Sequence, residues 1–138
     1  MNNIDRLLKD GNLYSIEYCG FFILKFSISS NSVFYHEFDG IQIEFISGCN
    51  IIDSKGVSKS ANQEIFNLYG SDIVRVKLET GNQLQIYFEN SYKIISILEE
   101  EKIYDRNWII KPVNNNDSYI LNDSDKLFYT ENMKALIL

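Results

Sequence analysis

The stretch from residue 73 to residue 88 restricts this chain more than any other. Val74, Val76 and Leu78 alternate with Arg75, Lys77 and Glu79; after Thr80, Gly81 and Asn82 the alternation resumes, with Leu84, Ile86 and Phe88 set between Gln83, Gln85 and Tyr87. A period of two sends successive side chains to opposite faces of a strand, and a turn containing Gly between two such runs makes an antiparallel hairpin. A helix would scatter these apolar residues around its circumference instead of lining them on one face. The run 92–98 reads as a third strand that closes a meander. Its Ile94, Ile95 and Ile97 are too continuous to give one face to water.

Most of the remaining chain has the same character. Ile, Phe, Tyr and Val dominate, while Ala occurs only at Ala61 and Ala135, so residues that suit a pleated surface outnumber the best helix formers. Residues 13–28 read as two strands, or as one long strand bent at Gly20. After a polar turn at 29–32, the runs 33–38 and 41–46 flank Asp39 and Gly40, a strong hairpin signal. In the second run Ile41, Ile43 and Phe45 are expected to face the core and Gln42 and Glu44 to face water. Residues 49–52 continue as a short strand, and 53–60 form a surface loop pivoting on Gly56. A helix is expected over 60–69: Ser60 as N-cap, Gln63 completing a capping box, Ile65, Leu68 and Tyr69 on one apolar face, and Gly70 as its stop. A charged excursion at 99–106 precedes a strand at 108–113, with Pro112 near its end where a missing amide matters least. Beyond a turn at 114–117, shorter strand candidates lie at 118–121 and 126–129, and 131–138 reads as a short helix or a frayed tail. The expected fold is mainly β (α+β): an antiparallel, curved or barrel-like sheet with one short helix, in a single domain over 1–138, a length that suits one hydrophobic core.

The side-chain inventory argues against catalysis. The chain has one His and two Cys, so most acid–base, nucleophilic and metal chemistries lack their parts. His36, within Tyr35-His36-Glu37-Phe38, reads as a residue at the core edge or as a solvent-facing spacer. Cys19 and Cys49 read as two reduced, buried thiols. The acids around 122–125 lack the glycine and the distal Glu of a calcium loop. No glycine-rich phosphate loop and no nucleophile elbow occurs, so no cofactor and no metal is expected. The opening residues have no apolar segment behind a basic one, and no apolar run approaches the length that spans a bilayer; a cytoplasmic protein without membrane attachment is expected.

Segment 70–113 resembles a family of small, largely uncharacterised bacterial β-rich domains. The likeness rests on Gly70 closing a helix, on Val76, Leu78, Gly81, Leu84 and Ile86 in a strand, turn and strand, and on Tyr92 opening the next strand. Many members begin that third strand Tyr-Glu-x-Trp, where this chain has Tyr92, Lys93, Ile94 and Ile95. The Pro followed by glycines in the family corresponds to Pro112, Val113 and 114–116, where Asn can adopt the left-handed conformation. The resemblance implies a fold and carries no activity with it. In size, acidity and Ile/Asn/Tyr-rich, Pro-poor composition the chain also resembles, in type, the immunity proteins encoded beside bacterial toxins, including those of contact-dependent growth inhibition systems.

Charge indicates the kind of partner. The formal charge is −6, which disfavours phosphate backbones, and the surplus falls in two stretches. Within 35–56, Glu37, Asp39, Glu44 and Asp53 face Lys55 alone; the second stretch, 94–138, is rich in Asp and Glu from Glu99 onward. Candidate partner-binding residues are therefore Glu37, Asp39 and Glu44 on one face, and Glu99, Glu100, Glu101, Tyr104 and Asp105 on another. Unlike charges steer association, and an aromatic anchor such as Tyr104 supplies binding energy. The leading expectation is a non-enzymatic immunity protein that neutralises a basic toxin, such as a nuclease, by covering its active site. The alternatives are a barrel that binds a small ligand or acts on one, and a structural subunit that assembles through an exposed strand edge.

Overall fold

Period-two alternation produces two antiparallel sheets that share one core. The computed structural model describes residues 3–36, 38–79, 83–99 and 107–113, together with the backbone of 120–123, 126–129 and 134–137. In chain order the elements are α1 (Asn3–Leu8), β1 (Leu13–Tyr18), β2 (Phe22–Phe26), β3 (Ile41–Phe45), β4 (Cys49–Ile52), β5 (Ser58–Ser60) and α2 (Ala61–Glu64), which runs into a 3-10 turn at Ile65–Leu68. Then follow β6 (Ile73–Glu79), β7 (Gln83–Phe88), β8 (Lys93–Ser96), β9 (Ile109–Pro112), β10 (Ile120–Asp123), β11 (Lys126–Tyr129) and β12 (Lys134–Ile137). One sheet has the order β1-β2-β3-β9, the second β5-β4-β8-β7-β6, and a three-stranded sheet β10-β11-β12 follows. Neither of the first two sheets closes or curls strongly, so open sheets with free edges stand where a curved or barrel-like sheet was expected.

The register in the meander follows the alternation. Leu84, Ile86 and Phe88 are buried in β7 while Gln83, Gln85 and Tyr87 are half-buried on the other face. In β6 a register shift between Ile73 and Arg75 turns Ile73 inward and leaves Val74 exposed, so Val76 is the buried member of the expected Val74, Val76, Leu78 series. The opposing sheet contributes Leu13, Leu24, Phe26, Ile41, Ile43 and Phe45 to the same core. The rings of Phe26 and Phe88 stack across the two sheets at 6.4 Å. Each such buried side chain contributes roughly 1.5–3 kcal/mol through removal from water.

The two sheets are joined at two places. At one, Asp10 N–H donates to the Ile73 carbonyl (2.8 Å) and Ile73 N–H to the Gly11 carbonyl (2.8 Å), while Asn12 pairs with Asp72 as an isolated bridge. The Asn12 amide nitrogen donates to the Gly70 carbonyl (2.7 Å) and to Asp72 Oδ1 (2.8 Å). Gly11 is required here, because a Cβ would strike the backbone carbonyl oxygens of Ser27 and Leu8. At the other, β3 turns into β4 through Gly48, whose φ of 90° suits glycine and whose N–H donates to the Phe45 carbonyl (3.0 Å).

Other expectations are corrected. No strand forms over 33–36; turns occupy that stretch, Ser32 Oγ accepts from Phe34 N–H (3.1 Å), and the Asp39–Gly40 hairpin is not made. Strand β3 pairs instead with β2 and β9, which satisfy both of its edges. Among the described residues there are two short helices where one was expected, the second within the expected 60–69. In α1, Ile4, Leu7 and Leu8 are fully buried, and the Asp5 carboxylate accepts from Val76 N–H on the edge of β6 (2.6 Å). The second helix keeps Ile65 and Leu68 inside but leaves Tyr69 62% exposed, and the Ser60 side chain makes no capping bond. Residues 134–137 form a strand, not the terminal helix or tail. The turn at Thr80, Gly81 and Asn82 lies outside the described residues, as do 114–119.

Candidate partner-binding groove

Between the β1–β2 hairpin and the β3–β4 corner the chain leaves an open groove of ≈ 390 Å³. Its walls combine turn residues and half-buried side chains with Phe22, Cys49 and Ala61, which are buried members of the shared core. Gly20, with φ of 89°, turns the hairpin, so that Tyr18 and Phe22 meet across it with ring centroids 5.0 Å apart. Tyr18 is 65% exposed, and half-buried Phe21 and Ile97 line the groove beside it. The groove thus offers an aromatic surface that a partner can cover, the kind of surface from which binding energy is drawn.

Glu99 is fixed beside it through a clasp that sequence reading did not anticipate. Buried Asn107 uses one oxygen twice: its Oδ1 accepts from Ser47 Oγ (2.7 Å) and from the Glu99 N–H (3.1 Å). Its own carbonyl accepts from Ser47 N–H (3.1 Å), and Ile97 N–H donates to the Gly48 carbonyl (3.0 Å). The chain therefore leaves at Glu99 and re-enters at Asn107 beside the groove. Exposed Glu99 lines the groove directly. Glu100, Glu101, Tyr104 and Asp105 lie outside the described residues, as does Glu37.

The other candidate acids lie apart. Asp39 is exposed on a second cleft of ≈ 490 Å³ lined also by Ser27, Ile28, Tyr35, His36 and Phe38. There His36 is exposed and stands edge-on to the Tyr35 ring at 4.9 Å. Glu44 does not face water: it is 9% exposed, bonded to Lys111 Nζ at 2.6 Å and accepting from Gln42 Nε2 at 2.9 Å. The residues brought together are thus Glu99 with Tyr18, Phe21 and Phe22, and not Glu44 with Asp39. The aromatics flanking Gly20 were visible in the sequence as a cluster, but nothing in a linear reading ties them to residue 99.

The fold also accounts for the two cysteines and for the Asp53 and Lys59 pair. Cys49, at the groove floor, is buried and its thiol is pushed up to about 12 by desolvation, which makes it a poor nucleophile. Cys19, expected to be buried, is exposed at the hairpin turn. Asp53 holds the loop before β5. Its Oδ1 accepts from Lys55 N–H and Val57 N–H, both at 2.9 Å, and these bonds with Lys59 hold its carboxyl below the ordinary carboxylate value. Lys59 also pairs with Glu64 at 3.4 Å, which raises the lysine. No helix among the described residues is long and apolar enough to cross a membrane. The chain matches no family model, no curated protein and no solved structure.

Proposed function

We propose that this chain is a non-enzymatic binding protein of the toxin-immunity type, acting in the cytoplasm on a basic cognate toxin domain and covering it through the groove at Tyr18, Phe21, Phe22 and Glu99. The observation that carries the reading is the clasp at Asn107. It fixes Glu99 and Asn107, which flank the acid-rich stretch 100–106 in the sequence, beside the groove of exposed Tyr18 and half-buried Phe21, which supports a reading in which steering charge and apolar anchors act together. The groove is open and wide enough for side chains of a partner, and its one thiol is held in the unreactive state.

The test is co-purification with the product of the adjacent toxin gene, followed by titration of variants. Tyr18→Ala and Phe21→Ala are each expected to weaken binding by about tenfold or more, the effect of removing an interface anchor. Wild-type affinity in both variants overturns the assignment of this groove. The cleft at Tyr35, His36 and Asp39 favours a second reading, a small-ligand binder, because its polar groups converge on a space of ligand size. That reading requires His36→Ala to abolish function, whereas the immunity reading requires His36→Ala to leave it intact.

A further inference from the structure

The outer face of the five-stranded sheet carries a feature that runs against the chain's overall charge. Antiparallel register sets Arg75 opposite Tyr87 and Tyr87 opposite Lys93, in one row across β6, β7 and β8; Lys77 lies opposite Gln85 in the adjacent row. The three cations converge on a single ring: the Arg75 guanidinium carbon lies 4.5 Å from the Tyr87 centroid, Lys93 Nζ 5.2 Å and Lys77 Nζ 5.6 Å. The Tyr87 hydroxyl donates to Gln85 Oε1 (2.9 Å), and Gln85 Nε2 donates to Gln83 Oε1 (3.1 Å), so uncharged amides continue the face along the strand. Among the described residues, none of the three cations forms an ion pair. Glu79, next after Lys77 on the same face of β6, makes no ion pair with them; like charges gathered without a paired counter-charge repel one another, and the π-face of one tyrosine offsets only part of that.

We propose that this face binds an extended acidic peptide segment of a protein partner, independently of the groove. Residues two apart on a strand stand roughly 6.6 Å apart on the same face. Arg75 and Lys77 therefore match carboxylates at alternate positions of an extended peptide lying along β6, while Lys93 answers from two strands away. A guanidinium stacked on a ring keeps its edge N–H groups free for a bidentate carboxylate. Two features select a peptide over a single-stranded nucleic acid. The ring that would stack a base is already capped by Arg75. The chain's charge of −6 also repels a polyanion that extends beyond three cations.

The probe is a fluorescent eight-residue peptide of alternating Glu and Thr, titrated against the whole protein at low and at physiological salt, with an oligothymidylate of equal charge in parallel. Peptide binding that weakens several-fold with salt, and at least tenfold in Lys77→Glu and Lys93→Glu variants of unchanged thermal stability, supports the proposal. Neutral Lys77→Gln and Lys93→Gln variants guard against loss of fold on charge reversal, and each is expected to weaken the peptide by a smaller factor. Absence of peptide binding at low salt, binding that ignores all four substitutions, or tighter binding of the oligothymidylate through the same lysines overturns it. Retained peptide binding in Tyr18→Ala separates this surface from the groove, and its loss there overturns their independence.

Discussion

Glu44 shows how far a single position can depart from its local pattern. It sits on the outward-facing side of β3, where alternation points to water, yet it is almost covered and bonded to Lys111 on β9. The pairing is diagonal across strands, because Gln42 is the direct partner of Lys111. A buried carboxylate that loses its cation keeps the desolvation cost without the compensating attraction, so Lys111→Met is expected to destabilise the fold by about 3 kcal/mol in denaturant titration. Replacing both members together, Glu44→Gln with Lys111→Met, is expected to recover most of that loss. Asp53 supplies a prediction in pH. Its carboxyl is held below the ordinary 3.8 by the Val57 and Lys55 N–H groups and by Lys59. A group whose folded value is lowered contributes fully above its unfolded value, and that contribution is lost as the pH falls below it and through the folded one. Asp53→Asn is therefore expected to lower stability at neutral pH and to flatten the acid limb of a stability profile below about pH 4, where wild type loses the bonds that hold the loop. The burial of Glu44 could not be read locally, since what covers it comes from elsewhere in the chain.

At the scale of elements, α1 protects an edge. Strand β6 is the last in its sheet, and an uncovered edge offers free N–H and C=O groups to other chains. Asp5 accepts one of those N–H groups, and Ile4, Leu7 and Leu8 bury the helix that carries it. Asp5→Ala is expected to cost about 1–3 kcal/mol by leaving the Val76 amide unsatisfied, and to speed amide exchange at Val76 ahead of Ile86 in the paired strand. Ile4, Leu7 and Leu8 stand at i, i+3 and i+4, so the helix was legible in principle, although so short an apolar face is a weak signal without the sheet that covers it. The β6–β7–β8 meander was legible because its alternation is long and its partners are adjacent in sequence. The Asp39–Gly40 hairpin failed for the converse reason: its dipeptide is a strong local signal, but β3 finds better partners in β2 and in β9, the latter far along the chain. The corner glycines belong to the same class, because Gly11 is demanded by Ser27 and Leu8 carbonyls that only the folded chain brings near.

For the whole molecule, the question is which acids meet a partner. Among the described residues the candidate acids stand apart: Asp39 lines one cleft and Glu99 another, while Glu44 is committed to Lys111. Among the described residues that line the groove the acid is Glu99, and the proposed function draws further steering charge from Glu100, Glu101 and Asp105, which follow it in the sequence. Exposed charges at an interface rim act mainly on the encounter, because their field reaches about 8 Å at physiological salt, whereas short-range packing governs escape. Under the proposed immunity function, reversing Glu99, Glu100 and Glu101 to Lys is thus expected to slow association with the proposed toxin partner by about tenfold at low salt, with dissociation changed less. The effect should shrink as salt is raised. Asp39→Lys, on the other cleft, should leave both rates unchanged, and Tyr18→Ala should act on the other rate from the charge reversals, speeding dissociation with little change in association. Stopped-flow association measured across ionic strength separates these three behaviours. If Asp39→Lys slows association while the triple reversal does not, the partner docks on the Tyr35 and His36 cleft, and the groove at Tyr18 is not the toxin-binding site.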